Sequence, residues 1–361
     1  MKPGGTALKT RLAVNIEAAA GLIARTQKDN GEIPWFIGDK TDPWDHVESA
    51  MGLSIGGYLT EASRAYAWMR RRQLPDGSWY AAYRDGCPED RTRDTNMSAY
   101  IAVGAFHYYL ITGDKGFLRQ MWETVEAAID FAVDMQAPGG EIHWAKSPEG
   151  RIDPMGLLTG SCSIFMSLKC ALAVAAVLGQ QRPDWQEAMA ALGNAICHKP
   201  QHFNQTKARF SMDWFYPILC GAIGGEDAQR RIDAQWRKFV VPGHGVRCVS
   251  DQPWITMAET SELCLALSAM GNTQLSRTVF NWIVDKAFDD GSYWCGHTFP
   301  DMTVWPEDKI TWTNAVVIMA ADALYHLTPA CGIFSHRCWQ APQQGRAIFS
   351  DIKTAPEHAK G

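Results

Sequence analysis

The chain has 361 residues, 46% of them hydrophobic, with a formal net charge of −5 and a sequence pI near 6.1. That length allows one large domain or two ordinary ones, and the apolar content suffices for a large core. The acidic balance and the lack of basic runs argue against nucleic acid as a partner. No run approaches the roughly 18 apolar residues of a membrane-spanning helix, so no transmembrane segment is predicted.

The cysteines are scattered, without CxxC pairs or the regular spacing of a disulfide framework. The first residues contain no apolar stretch long enough for an export signal. Together these features predict reduced thiols and a cytoplasmic location.

Amphipathic helices and apolar segments alternate along the chain. A helix that is apolar all round is buried on every side, whereas an amphipathic helix faces water on one side. The clearest unit is 91–136, where an apolar helix ends at Gly113 and an amphipathic helix follows. The amphipathic helices are predicted near 7–27, 61–72, 117–133, 184–197, 226–240 and 273–287. The apolar segments are predicted near 50–59, 97–111, 164–178, 209–225, 257–270 and 315–327.

Polar residues open each apolar segment, near Asp45, Asp94, Ser161, Asp213, Glu259 and Trp312. The openings recur every 45–70 residues or so, a period typical of stacked helical hairpins. An open array would leave one face of each apolar helix in water, so the array is predicted to close. The fold class is therefore all-α: one (α/α)6 toroid of six hairpins over residues 1–330, with a peripheral or disordered tail at 331–361. The oligomeric state stays open, a homodimer included.

In such a toroid the N-terminal ends of the inner helices surround one mouth. Glu259 and Asp213 open inner helices beside Trp254 and Trp214, and we expect these carboxylates to act as acid and base, with Asp94 as a further catalytic candidate. The loop residue Trp44 can join them. The predicted substrate-binding residues are Arg93, Asp45, His46, Glu48, Asn96, Trp214, Arg247, Asp251, Trp254, Glu262, Trp294 and Trp312.

Two acidic pairs at this mouth have a three-residue spacing, Asp45 with Glu48 and Glu259 with Glu262. Residues three apart share one face of a helix. Each pair therefore brings like charges together and raises one pKa, which suits a general acid. A single acidic residue at a helix N-terminus is equally well explained as a cap, so the prediction depends on the clustering.

Three functions fit such a mouth. A glycoside hydrolase places two carboxyl groups on either side of the scissile bond and packs tryptophan faces against the sugar rings of a small-molecule or oligosaccharide substrate. A prenyltransferase or terpene cyclase would start from one acid and stabilise a carbocation on aromatic faces. A non-catalytic toroid that binds a partner or glycan would need no converging carboxylates.

No metal or cofactor is predicted. Cys295 and His297 lie two residues apart, but they make only half a zinc site and no second pair has the spacing of ligands. The cysteines that lie within the predicted apolar segments are best explained as small core residues.

The run RDTNMSAY, followed by YYLITGD, resembles the second and third hairpins of the six-hairpin glycosidases, the glucoamylase-like (α/α)6 enzymes. In those families an Arg-Asp pair at this place binds the hydroxyls of a substrate sugar, which implies that role for Arg93 and Asp94. The resemblance assigns neither acid nor base, and (α/α)6 toroids also include epimerases and phosphorylases.

The loop QLPDGSW (73–79) is similar to the Q-x-x-D-G-S-W repeat of terpene cyclases and prenyltransferases, which share an α/α toroid. That repeat is structural in its own family. Neither a DxDD acid motif nor an Asp/Cys/His zinc site accompanies it here. The resemblance therefore implies the toroid and keeps a prenyltransferase-like activity as the alternative function.

Overall fold

The computed structural model describes residues 14–340. The helices are α1 (Ile16–Thr26), α2 (Pro43–Ile55), α3 (Leu59–Arg72), α4 (Thr95–Ala99), α5 (Ile101–Thr112), α6 (Lys115–Asp134), α7 (Leu158–Leu178), α8 (Pro183–His198), α9 (Ser211–Leu219), α10 (Gly225–Phe239), α11 (Met257–Ala269), α12 (Thr273–Phe280), α13 (Thr311–Tyr325) and α14 (His336–Trp339). The strands are β1 (Ala82–Arg84), β2 (Cys87–Asp90), β3 (Arg93–Asp94), β4 (His143–Lys146), β5 (Ile152–Gly156), β6 (Val240–Val241), β7 (Gly245–Arg247), β8 (Trp254–Thr256) and β9 (Gly296–Thr298).

The inner helices form a closed ring, as the alternation of apolar and amphipathic segments predicts. Around the ring α2 packs on α4 and α5, which pack on α7, and the contacts continue through α9, α11 and α13 back to α2. The outer helices α1, α3, α6, α8, α10 and α12 pack against this ring from outside. The (α/α)6 toroid is therefore confirmed.

The longest inner helix, α7, shows why these segments are buried. Its 21 residues are apolar on every side, and Gly179 ends it in the left-handed conformation. By length and composition alone α7 is the one described helix that could cross a membrane, yet 67% of its most apolar window is buried inside the barrel. An inner position in the ring accounts for this composition.

A similar loop follows the three outer helices α1, α3 and α6. The amide nitrogen Nε2 of Gln73 donates to Gly77 O at 2.9 Å in its own turn and to Thr124 O at 2.8 Å on α6. Gln27 and Gln136 make the equivalent bonds to Gly31 and Glu61 and to Gly140 and Ala188. A Cβ on Gly77, whose φ is +86°, would lie 2.0 Å from Ala127 O. The Q-x-x-D-G-S-W resemblance therefore marks a structural joint.

Several boundaries differ from the prediction. Asp42 caps α2 and Pro43 begins it, seven residues before the apolar segment predicted from Ala50, because polar first-turn residues are helical too. The inner helix of the second hairpin is divided at Tyr100 into α4 and α5. Short antiparallel sheets, β3-β4-β5 and β6-β7-β8-β9, lie in the loops at the mouth.

Residues 331–340 pack against the opposite end of the barrel. Phe334 is buried and lines a small void inside the ring, and the His336 ring bonds through Nε2 to Ile218 O at 2.6 Å. The tail predicted from residue 331 is thus partly integral to the fold. Its residues 341–361, and residues 7–13 of the first predicted helix, lie outside the described residues.

Candidate active site

A cavity of about 250 Å³ opens between the first turns of α4, α7 and α9. The aromatic side chains of Trp44, Trp144 and Phe210 form part of its wall. The polar residues around it are Asp94, Asn96, Thr159, Ser161, Lys207 and Asp213. Aromatic faces combined with a few converging polar groups are typical of a ligand-binding site.

Three buried polar atoms of the cavity residues have no hydrogen-bond partner among the described residues. They are Asn96 Oδ1, Ser161 Oγ and Trp144 Nε1. Leaving such an atom unpaired costs about 1–3 kcal/mol. Hydroxyl groups, each of which donates and accepts, are the kind of partner that these atoms lack.

Asp94 and Asp213 reach this cavity from α4 and α9. Asp94 Oδ1 caps α4 by accepting the Met97 N–H at 2.9 Å. Asp213 Oδ1 accepts the Thr159 N–H at 3.2 Å and the Thr159 hydroxyl at 2.6 Å. Burial raises the pKa of Asp94 to about 6 and raises that of Asp213, and these hydrogen bonds oppose the effect. Both carboxyl groups are thus held by neutral donors.

A second group of carboxyls lies on α2 and α11. Asp45, partly exposed, is in the first turn of α2 beside the cavity residue Trp44, and Glu259, 6% exposed, is in the first turn of α11. Burial raises the pKa of the Cys295 thiol, and the Glu259, Asp308 and Asp45 carboxyls add to that rise, Glu259 most and Asp45 least. Asp45 and Glu259 thus lie in one region of the mouth, at the N-terminal ends of α2 and α11.

One turn deeper, Glu48 and Glu262 lie below them. Glu48 Oε1 accepts the Trp44 indole N–H at 2.9 Å and the Tyr100 hydroxyl at 3.2 Å, and Glu262 accepts the Tyr216 hydroxyl. These carboxyls and hydroxyls line a void of about 20 Å³, enough for one water.

The pKa shifts follow from this crowding. Burial raises the pKa of Glu48 to about 7. Burial, then Glu48 and Glu259, raise that of Glu262, and burial, then Asp42 and Glu48, raise that of Asp45. In each pair spaced by three residues, one member thus has a pKa raised in part by the other.

Three predicted binding residues lie in the framework of the barrel instead. Trp214 stacks on Phe239 with ring centroids 5.4 Å apart and donates its indole N–H to Arg231 O. His46 accepts the Ile33 N–H at Nδ1 and packs on Trp68.

Arg93 is the third. Its guanidinium donates to Asp76 Oδ2 at 2.9 Å and to Ser147 O at 2.6 Å, so it fixes the Q-x-x-D-G-S-W loop to the β4–β5 hairpin. It is absent from the residues that line the cavity. Of the Arg-Asp pair, only Asp94 reaches the cavity.

Four more predicted residues lie on or beside the β6–β9 sheet. Arg247, on β7, pairs with Ile255, and Asp251 is exposed and bonds Arg209 at 2.6 Å. Trp254 donates its indole N–H to Trp305 O at 2.8 Å, and Trp294 contacts the His297 ring. This sheet leads directly into α11, so these residues border the mouth without lining the described cavity.

Trp312 occupies the sector between Asp45 and Glu259, in the first turn of α13. Its ring centroid lies 6.5 Å from that of Trp35, whose indole donates to Asp42 Oδ2 at 2.6 Å. Its own buried Nε1 has no partner among the described residues. A second aromatic surface, formed by Trp35 and Trp312, therefore lies at the start of α13, away from the cavity at α4, α7 and α9.

The sequence prediction missed several cavity residues. Thr159 lies in the first turn of α7, Phe210 directly precedes α9, and Trp144 lies in the segment between α6 and α7. These positions, at or before the start of an inner helix, were the signal that could have identified the three residues. Nothing in the sequence marks Lys207 as a cavity residue. Within 14–340 no cluster of three or more His, Cys, Asp or Glu could hold a metal ion.

No family model matches the chain. In sequence the chain is 50% identical over 315 residues to MMP endo-(1,4)-3-O-methyl-alpha-D-mannosidase from Mycolicibacterium hassiacum, and the alignment covers 87% of each protein. An identity of this size over most of both chains indicates common ancestry along the whole barrel.

In structure the chain resembles several sugar-active enzymes. They include a wild-type glycosidase (17% identity, TM-score 0.64, 87% of this chain and 96% of that one) and D-mannose isomerase (12%, 0.68, 91% and 99%). A GH63 mannosylglycerate hydrolase from Thermus thermophilus in complex with glucose is similar as well (10%, 0.67, 84% and 99%). At these identities the structural likeness shows a common fold.

Proposed function

We propose that this chain, which belongs to the glycosidase family of the Mycolicibacterium hassiacum MMP endo-(1,4)-3-O-methyl-alpha-D-mannosidase, cleaves internal α-1,4 bonds of oligosaccharides built from 3-O-methylmannose. The chain is a glycoside hydrolase by that membership. The finer substrate is a proposal, carried by the relative's specificity and by the cavity with its three unpaired polar atoms.

Asp45 is the proposed general acid and Glu259 the proposed second carboxylate. The observation that supports this assignment is that each carboxyl lies in the first turn of an inner helix, α2 or α11, on the two sides of α13, and both contribute to the raised pKa of the buried Cys295 thiol. Hydrolysis needs one protonated carboxyl for the leaving oxygen and a second carboxylate that attacks or activates water. The raised pKa of Asp45, due to burial, Asp42 and Glu48, keeps the required proton available.

Asp94 and Asp213 take a different role in this proposal. Their carboxyls are anchored by hydroxyl and amide donors on the cavity side of Trp44. We therefore assign them to the binding of sugar hydroxyls and move the acid assignment from Asp213 to Asp45, while Glu259 keeps its predicted catalytic role.

An endo-acting enzyme must hold sugar units on both sides of the scissile bond. Trp44, Trp144 and Phe210 form part of the cavity wall, and Trp35 with Trp312 lies at the start of α13, between α2 and α11. Two separate aromatic surfaces suit a chain that passes across the mouth, whereas a prenyl substrate would need a dry aromatic pocket with one acid.

The test is product analysis with α-1,4-linked 3-O-methylmannose oligosaccharides of defined length. Internal cleavage gives fragments of intermediate size from the first turnovers. Release of single sugars alone would contradict the endo assignment, and no cleavage together with binding of prenyl diphosphates would contradict the substrate class.

The cytoplasm is the proposed location. In support, all ten cysteines are free thiols, the buried Cys162 and Cys220 among them. Fractionation of cells that produce the protein would test this.

A further inference from the structure

The cavity lining combines polar and aliphatic side chains. Asp94, at the N-cap of α4, and Thr159, in the first turn of α7, contribute a carboxyl and a hydroxyl group. Met97 on α4, Ile164 on α7 and Met212 on α9 line the same cavity with apolar side chains.

We propose that this aliphatic part of the cavity, formed by Met97, Ile164 and Met212, binds a methyl ether of the substrate sugar and so selects methylated over unmethylated chains. The inference rests on the proposed function, which supplies the sugar, and it adds the residues that read the methyl group. Ile164 is 2% exposed, and Met97 and Met212 are partly exposed at the cavity wall.

A sugar hydroxyl would lose its hydrogen bonds to water at this aliphatic surface. Ile164 and the two methionines offer neither a strong donor nor a strong acceptor, so a sugar hydroxyl placed against them gives up its bonds to water without replacement. A methyl ether has no donor to lose and places apolar surface in contact with apolar surface. Methionine side chains adapt to such a group because they are flexible and polarizable.

The polar atoms of the same cavity complete the recognition. Asn96 Oδ1, Ser161 Oγ and Trp144 Nε1 are buried and unpaired among the described residues, and they suit the hydroxyls that remain free on a partly methylated sugar. A site that was apolar throughout would bind a lipid as well as a sugar. Unpaired polar atoms beside an aliphatic surface fit a methylated sugar better than they fit an unmethylated sugar or a lipid.

The test compares kcat/KM for two α-1,4-mannose oligosaccharides of equal length, one 3-O-methylated and one not. One methyl group in an apolar pocket accounts for roughly 10- to 200-fold discrimination. The wild-type protein should therefore prefer the methylated chain by at least ~10-fold. Met97→Gln and Met212→Gln, which keep side-chain length but add an amide, should bring the ratio of the two kcat/KM values towards one, mainly by loss on the methylated chain.

Two further variants complete the design. Met189→Gln makes the same change at a partly buried position on the outer helix α8 and should keep the wild-type ratio. Met212→Leu keeps an apolar side chain at the cavity and should keep most of the preference. Melting temperatures of all variants show whether each is folded.

The outcomes separate this inference from the proposed function. Equal turnover of both chains by the wild-type protein, or an unchanged ratio in folded Met97→Gln and Met212→Gln variants, overturns the inference and leaves the glycosidase assignment intact. A wild-type protein that cleaves neither chain overturns the proposed function and the inference with it.

Discussion

The two halves of the mouth both carry buried carboxyls, but they surround them with different neighbours. On α2 and α11, Asp45 and Glu262 have pKa values raised by burial and raised further by other carboxyls. On α4 and α9, burial raises the pKa values of Asp94 and Asp213, Asp42 and Asp90 add to the rise at Asp94, and hydrogen-bond donors oppose it. Asp94 and Asp213 are thus anchored by donors, which suits the binding of a sugar, whereas Asp45 lies beside two other carboxyls, which suits the holding of a proton.

Removing the carboxyls of Asp45 on α2 and Glu259 on α11 should have the largest effect on kcat. Asp45→Asn and Glu259→Gln should each lower kcat by about 100- to 10,000-fold, because each removes a proton-transfer or nucleophilic group from the transition state. Asp94→Asn and Asp213→Asn should act chiefly through KM. Steady-state kinetics measure both, with Glu123→Gln on the outer face of α6 as a control. Equal kcat losses in all four variants would contradict the division of the mouth.

The deep carboxyl Glu48 should make stability depend on pH. Its pKa is about 7 in the fold, against 4.5 for a free glutamate. Between these values the folded state binds a proton that the unfolded state lacks, so the free energy of unfolding falls as pH rises through this window, by up to about 3 kcal/mol.

Glu48→Gln should flatten that dependence. Chemical denaturation at a series of pH values between about 4.5 and 7 measures it, with Glu123→Gln again as the control. A wild-type protein whose stability rises across this window, or a Glu48→Gln variant with the same slope, would contradict the assignment.

Filling the cavity should weaken binding without touching a carboxyl. A Cβ on Gly160 would lie 3.5 Å from Asn96 Cβ and 3.7 Å from Leu157 Cβ, which are ordinary contacts. Gly160→Ala should therefore fold normally, and Gly160→Leu should occupy cavity volume and raise KM by about 10-fold or more. Titration with a substrate chain and a measured melting temperature test this, and an unchanged KM in folded Gly160→Leu would place the sugar elsewhere.

The smallest effect on activity is expected at Arg93. Arg93→Ala removes its bonds to Asp76 and Ser147 O, so it should lower the free energy of unfolding by about 1–3 kcal/mol. The KM at a temperature where the variant is folded should stay close to that of the wild-type protein. A large rise in KM without loss of stability would restore the sugar-binding role that the Arg-Asp resemblance implies.

The toroid could be predicted from the sequence because it depends on local patterns repeated six times. Apolar and amphipathic helices alternate, and a closed ring is the arrangement that buries every apolar face. The mouth could be predicted for the same reason, since each apolar segment has polar residues at or near its start. Three of the predicted mouth residues, Asp94, Asn96 and Asp213, line one cavity in the structure.

The residue roles were harder to predict, because neighbours in sequence are not neighbours in space. Trp214 follows Asp213, but consecutive helix residues point in different directions, and Trp214 packs outward on Phe239. Arg93 precedes Asp94 on β3, where successive side chains lie on opposite faces. Only the fold shows that Asp45 and Glu259, more than 200 residues apart in the sequence, open inner helices that both pack against α13.

The measurement that tests the central claim most directly is the kcat/KM of Asp45→Asn on two substrates. One is a natural oligosaccharide, and the other carries a nitrophenolate leaving group that departs without protonation. If Asp45 is the general acid, the variant loses activity on the oligosaccharide but keeps nearly wild-type activity on the nitrophenyl glycoside. Equal loss on both substrates, or no loss on the oligosaccharide, would contradict the assignment.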